Sequence, residues 1–136
     1  LVDFQKKDQQ TIENLYKRKL LKKQNVFTFA DFTRTSEADI EDMLGDDLYL
    51  QLVNAEFKSY LTKPITTTML KGKSPRILVR LEEYFDESPL QGGARFNHYR
   101  PARYFVDNLT ALEKSIPFET LDRFEEAFKA LNALLR

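Results

Sequence analysis

The chain has 136 residues, no cysteine and one histidine, and its 21 Lys and Arg residues balance 21 Asp and Glu residues. This length is typical of a single domain. The absence of cysteine excludes disulfides, thiolate zinc sites and cysteine nucleophiles. No apolar run approaches the roughly 18 residues of a transmembrane helix, and the first ten residues lack the order of a signal peptide.

The charged residues are segregated along the chain although they cancel in total. Residues 17–23 carry five positive charges, residues 35–57 carry seven negative charges, and residues 58–81 carry six positive charges without an acid. Residues 88–106 carry three arginines and His98, again without an acid. Such blocks are typical either of solvated faces or of surfaces that meet a complementary charge.

The first third of the chain predicts a helix followed by a strand. Apolar residues recur at helical spacing over residues 8–23, at Ile12, Leu15, Tyr16 and Leu20. Residues 25–32, NVFTFADF, then alternate and are rich in aromatic side chains, which indicates a strand.

The acidic block predicts a short helix, a glycine stop and a longer helix. Ser36 and Asp39 resemble a capping box, Gly45 suits a left-handed stop, and Asp46 suits the N-cap of a helix to about Leu61. The predicted core positions of this longer helix are Leu48, Tyr49, Leu52, Val53, Phe57, Tyr60 and Leu61.

The remaining chain predicts further helices and one weak strand. Residues 65–70, ITTTML, are β-branched and are the second strand candidate. We expect helices from Ser74 and Pro75, from Pro101, and over residues 117–135. The last of these has a predicted apolar face of Leu121, Phe124, Phe128, Leu131 and Leu134. The predicted class is α+β and mostly α-helical, with five or six helices and one or two short strands.

The acidic block raises the hypothesis of a metal site. Mg²⁺ and Mn²⁺ prefer carboxylate oxygens, which Asp39, Glu41 and Asp42 supply. On a helix only Asp39 and Asp42 share a face. The alternative is that these carboxylates cap helices and face water, so spacing alone leaves both interpretations open.

The basic residues admit a nucleic-acid interpretation. Residues 58–81 have the side chains that bind phosphates, but the KGKSP turn lacks the spacing of a P-loop. His98, with Arg95, Arg100 and Arg103, is either a packed structural histidine or a phosphate contact.

Three stretches resemble the C-terminal region of bacterial OLD-family proteins: TRTSEADIEDMLGDDLYLQLVN at 33–54, SPRILVRLEEYF at 74–85 and FNHYRPARYF at 96–105. These proteins join an N-terminal ABC-type ATPase domain to a C-terminal TOPRIM nuclease domain. The resemblance implies that residues 1–62 are the last part of a TOPRIM-like α/β domain and residues 63–136 a helical tail packed on it. The start at Leu1 agrees with a piece of a longer polypeptide.

The resemblance also implies roles for particular residues. A TOPRIM site holds Mg²⁺ or Mn²⁺ with an early Glu and an Asp-x-Asp motif. The early Glu is expected upstream of this chain. In LVDFQ, Asp3 matches the first Asp of the motif, whereas Gln5 replaces the second. Glu41 matches a later acidic residue. The implied assignments are Asp3 and Glu41 for catalysis, Asp39, Glu41 and Asp42 for the metal, and Lys71, Lys73, Arg76 and Arg100 for nucleic acid.

Two functions follow from these observations. In the first, the chain is part of a cytoplasmic, metal-dependent DNA endonuclease whose ATP site lies in an absent N-terminal domain, and the piece alone is inactive. In the second, which Gln5 favours, the chain is a non-catalytic helical interaction module. Its charge blocks would then meet complements on the ATPase domain or on a second copy in a homodimer, and no membrane is involved.

Overall fold

The computed structural model describes residues 1–22 and 25–135. The protein is 62% helical with 3% strand, which confirms the mostly helical class. The described residues contain seven α-helices: α1 Gln9–Lys17, α2 Phe29–Thr33, α3 Asp46–Glu56, α4 Ile77–Glu87, α5 Tyr99–Asp107, α6 Leu109–Leu112 and α7 Phe118–Ala133. Short 3-10 turns connect them at Lys6–Asp8, Ile40–Met43, Thr67–Met69, Gln91–Gly93 and Glu113–Ser115.

Both strand predictions were wrong. Residues 25–32 contribute only Thr28 to an isolated bridge with Val2, and α2 begins at the next residue. Asp31 starts this helix because its carboxylate accepts hydrogen bonds from the backbone N–H and the hydroxyl of Thr28, at 2.7 and 3.0 Å. Residues 65–70 form the 3-10 turn Thr67–Met69 instead of a strand.

The predicted helices exist, but several boundaries differ. Helix α1 ends at Lys17, and Lys23, the last residue of that prediction, lies outside the described residues. Helix α3 ends at Glu56 rather than near Leu61, and α4 begins at Ile77 rather than at Pro75. Helix α7 lies within the predicted range of 117–135.

The main core lies between α3, α4 and α5. Asn54 of α3 holds the following loop against it, since its amide donates to the carbonyl of Ile65 at 2.8 Å and accepts from the N–H of Ile65 at 2.7 Å. The buried residues of this core are Tyr49, Leu50, Leu52, Val53, Phe57, Ile65, Leu70, Ile77, Leu81, Phe85 and Leu90.

A second core joins the two ends of the chain. Helix α7 packs through Ala127 on α2 and on the segment after it; the buried members are Phe29, Ala30, Phe32, Ala38, Met43 and Ala127. Packing therefore crosses residue 62, where the resemblance places the end of a TOPRIM-like part.

The predicted inner face of α7 was wrong in part. Leu121, Phe128 and Leu134 are exposed, whereas Thr120 and Ala127 are buried. Small side chains let the helix approach closely, and the Thr120 hydroxyl donates to the carbonyl of Leu44 at 2.6 Å. Arg123 Nε donates to the carbonyl of Met43 at 2.8 Å. Polar contacts thus hold α7 against the 3-10 turn Ile40–Met43 and the residue after it. The spacing of apolar residues in the sequence does not indicate such contacts.

Among the described residues, no helix is both long enough and apolar enough to cross a membrane.

Candidate functional site

The acidic segment, residues 37–47, starts with a capped turn. Asp42 Oδ2 accepts a hydrogen bond from the backbone N–H of Asp39 at 2.7 Å, and the two residues form the capping box of the 3-10 turn Ile40–Met43. The predicted box used Ser36 and Asp39, so the cap lies three residues further along the chain. This turn carries the side chains of the segment toward α4 and α5.

Asp39 is buried and paired with an arginine. Its Oδ2 accepts from Arg76 Nε at 2.8 Å, and it is only 4% exposed. Arg76 precedes α4 and is itself largely covered. Because a buried carboxylate without a partner is costly, this pair ties the acidic segment to the start of α4.

Asp42 connects two elements through one carboxylate. While Oδ2 closes the capping box, Oδ1 accepts from the N–H of Ile77, the first residue of α4, at 2.8 Å. Asp42 therefore caps α4 from a distant part of the chain, where Ser74 was expected to do so. Burial raises the pKa of the Asp42 carboxyl, against the lowering effect of these two hydrogen bonds.

Asp46 forms a two-pronged ion pair with α4. Arg80 donates through Nη1 and Nη2 to the two carboxylate oxygens, at 2.6 and 2.8 Å. The hydrogen bond to Asp46 raises the pKa of the Arg80 guanidinium. Gly45, not Asp46, is the N-cap of α3, so the predicted cap is an ion-pair partner instead.

Glu41 has a different partner from its neighbours. Its buried Oε1 lies 2.9 Å from Nδ1 of His98, which is half-exposed. The hydroxyl of the fully buried Tyr49 has no hydrogen-bond partner among the described residues. Burial, and the charges of Glu41, Asp42 and Asp39, raise the pKa of the Tyr49 phenol. This phenol and Nε of Arg80 are the two buried side-chain groups that have no hydrogen-bond partner in the part of the chain that the structure describes.

Two residues near the N-terminus, Asp3 and Lys6, form hydrogen bonds with the acidic segment. Asp3 Oδ1 accepts from the N–H of Ile40 at 3.1 Å, and Glu37 Oε1 accepts from the N–H of Lys6 at 2.7 Å. The structure thus places Asp3 beside Ile40, the first residue of the 3-10 turn that also contains Glu41.

The carboxylates of this site do not converge on a common point. Within residues 1–22 and 25–135, no group of three His, Asp or Glu side chains has a geometry that could hold a metal ion. Asp39, Asp42 and Asp46 instead direct oxygens to arginines or to backbone N–H groups. In this geometry the segment can link helices and neutralise the partly buried arginines Arg76 and Arg80.

The predicted nucleic-acid residues divide into two kinds. Lys71 and Lys73 are exposed. Arg76 is held by Asp39, and Arg100 Nε donates to Glu56 at 2.7 Å. The Arg100 guanidinium also lies over the Phe57 ring, 4.6 Å from its centroid, so both arginines contribute to the fold.

Sequence reasoning missed that the acidic and basic blocks are partners of each other. The pairs join residues separated by 34 to 37 positions: Asp39 with Arg76, and Asp46 with Arg80. The available signal was the abrupt change of sign at Lys58. Neither helical spacing nor capping rules identify which charges meet across such a distance.

The chain matched no protein-family model, no curated protein and no solved structure when it was compared with each of these groups.

Proposed function

We propose that this chain is a non-catalytic helical interaction module, and that its acidic segment organises the fold instead of binding metal. The main support for this proposal is that the carboxylates of the acidic segment already have hydrogen-bond partners within the chain. Asp39 and Asp46 bind arginines of the basic block, and Asp42 caps α4. A divalent cation would have to displace these partners, which would leave the charge of a partly buried arginine unpaired.

The surface supports an interaction role. Large apolar side chains are exposed on α5, where Tyr99 and Val106 stand out, and on α7, where Phe118 and Phe128 do. Clustered exposed apolar residues mark surfaces that bind other proteins. Since most carboxylates of residues 35–57 are already bound within the chain, these apolar faces are the better candidates for contact.

A Mn²⁺ titration followed by NMR line broadening tests the metal half of this proposal. We expect weak broadening, spread over exposed carboxylates, and equal in the wild type and in a Glu41→Gln variant. An Asp107→Asn variant, altered at an exposed acid of α5, is the matched control. Selective broadening of residues 37–47 that Glu41→Gln removes would refute the proposal.

The second candidate function follows the OLD-family resemblance. In it the chain contributes to Mg²⁺- or Mn²⁺-dependent DNA cleavage by a cytoplasmic parent protein that carries an ATPase domain. The unpaired Tyr49 hydroxyl near Glu41 favours it, because a bound water or ion would satisfy that group. The proximity of Asp3 to Ile40 agrees with it as well.

DNA binding tests this second candidate. The nuclease function predicts that the double variant Lys71→Ala/Lys73→Ala binds a fluorescent DNA duplex about tenfold more weakly than the wild type does. The affinity of the variant should also depend less steeply on salt concentration. Lys114→Ala, at an exposed lysine after α6, is the control. Affinity that does not change between low and moderate salt would exclude a phosphate-binding role for these lysines.

A further inference from the structure

The outward face of α7 carries an apolar stripe. Phe118, Leu121 and Phe128 of the helix, and Leu135 two residues after its last residue Ala133, are exposed to 84%, 50%, 61% and 86%. With Glu125 and Asn132 they follow an alternating three- and four-residue spacing, which is the a/d pattern of a coiled-coil seam. The buried residues Thr120 and Ala127 lie on another side of the helix, so the stripe is separate from the contact with the second core.

We infer that this stripe pairs with the same stripe of a second copy, with the two α7 helices antiparallel. The inference rests on the proposed function as an interaction module and names its partner and surface. A two-fold pair of identical stripes needs no other protein, because each face is its own complement.

Charge determines the orientation of the pair. The first half of α7 carries the acids Glu119, Asp122, Glu125 and Glu126 and one cation, Arg123, whose Nε donates to the carbonyl of Met43, whereas Lys129 lies in the second half. Parallel helices would set Glu125 beside its own copy, and like charges in contact are unfavourable. Antiparallel helices bring the acidic half of each copy beside the lysine of the other.

The spacing fixes a register for the antiparallel pair. Aligning the stripe over its full length sets Phe118 against Leu135 of the second copy, Leu121 against Asn132, and Glu125 against Phe128. Asp122 and Lys129, which flank the seam on the same side, then meet across it. Lys129 also holds Glu125 of its own helix at 2.6 Å, so the central glutamate has a cation beside it.

The area suits a weak, specific dimer. With roughly 200 Å² for each large apolar side chain, the exposed fractions amount to about 500 Å² of apolar surface per copy. Specific interfaces bury on the order of 800 Å² per partner, so the stripe supplies more than half of that area. We therefore expect reversible dimerisation in the micromolar range.

Sedimentation velocity of the full chain over a range of concentrations tests the interface. We expect a monomer–dimer equilibrium whose dissociation constant rises at least about 100-fold in Leu121→Glu/Phe128→Glu, since charge is placed in the seam. The control, Tyr99→Glu/Val106→Glu, adds equal charge to the exposed face of α5 and should dimerise like the wild type. Circular dichroism of both variants confirms that they fold.

Disulfide trapping tests the orientation, and the absence of native cysteine makes it unambiguous. A mixture of Phe118→Cys and Leu135→Cys chains should form the mixed disulfide under mild oxidation, whereas each variant alone should not cross-link. Efficient cross-linking of Phe118→Cys alone would show parallel helices and overturn the inference.

The remaining outcomes separate the inference from the proposed function. A dimer that survives Leu121→Glu/Phe128→Glu overturns the α7 surface and leaves an interaction module that uses another face. A strict monomer at all concentrations overturns self-pairing. Only selective Mn²⁺ binding at residues 37–47 overturns the non-catalytic function itself.

Discussion

At the residue scale, the single carboxylate of Asp42 accepts hydrogen bonds from two different elements. Asp42 accepts a hydrogen bond from Asp39 N–H within its own turn and another from Ile77 N–H at the start of α4. It joins parts of the chain 35 residues apart. It is nevertheless partly buried, and this burial raises the pKa of its carboxyl above the ordinary value of 3.8.

This raised pKa predicts the sign of a pH effect. Because the native carboxyl binds its proton more tightly than the unfolded one, Asp42 destabilises the fold increasingly as pH rises from about 3.8 through its native pKa. Above that pKa the cost is constant. The same trend should be absent in Asp42→Asn, which has no charge to bury.

The measurement is the free energy of unfolding by urea, for both proteins, between about pH 3.5 and 7. We expect the difference, wild type minus Asp42→Asn, to fall as pH rises. A difference that is flat, or that rises with pH, would show that the hydrogen bonds outweigh the burial.

The sequence predicted which segment holds the acidic side chains of the site, but not which residues those side chains bind. The sequence marks residues 37–47 as either a metal site or a set of helix caps, and it marks the core positions Leu48, Leu52 and Val53 of α3, which are buried. The partners Arg76 and Arg80 lie far away in the chain, so only the three-dimensional packing determines which acid each one meets.

At the element scale, α7 shows where apolar periodicity misleads. Its pattern predicts that Leu121 and Phe128 face inward, yet Thr120 and Ala127 occupy the buried side. Close approach to the 3-10 turn Ile40–Met43 favours small side chains and hydrogen bonds over large apolar ones. The strand prediction for 25–32 failed for a related reason: Phe29 and Phe32 lie one helical turn apart on the buried face of α2.

This packing predicts a sharp size limit at one residue of α7. Ala127 is 1% exposed, so Ala127→Leu should overpack the second core and lower the free energy of unfolding by about 2 kcal/mol. Ala133→Leu, the same change at an exposed position of the same helix, should alter it by less than about 0.5 kcal/mol. Urea denaturation compares the two variants, and equal effects would contradict the docking of α7 described above.

At the scale of the whole molecule, stability should be uneven. Helix α3 contributes five buried residues to the interior, whereas none of the residues of α1 is buried. Segments with little buried apolar surface open locally without global unfolding. The main core should therefore outlast the N-terminal helix under any mild perturbation.

Native-state hydrogen exchange tests this unevenness residue by residue. We expect the amides of Leu52 and Val53 to exchange only through global unfolding, with free energies that fall with urea as the global value does. Amides of α1 should exchange with free energies at least about 2 kcal/mol lower and with little response to urea. Equal protection in α1 and α3 would show that α1 is held by contacts beyond those in this chain's own core.

The acidic segment is part of the fold, and a double-mutant cycle on Asp39 and Arg76 measures how strongly one of its carboxylates is bound there. The unfolding free energies of Asp39→Ala, Arg76→Ala and the double variant give the coupling between the two side chains. We expect at least about 1.5 kcal/mol for this covered pair, and about 0.3 kcal/mol for the exposed pair Arg103 and Asp107 as control. A coupling energy for Asp39 and Arg76 as small as that of the control pair would show that the Asp39 carboxylate does not stabilise the fold through Arg76. That carboxylate would then be available to bind another ligand.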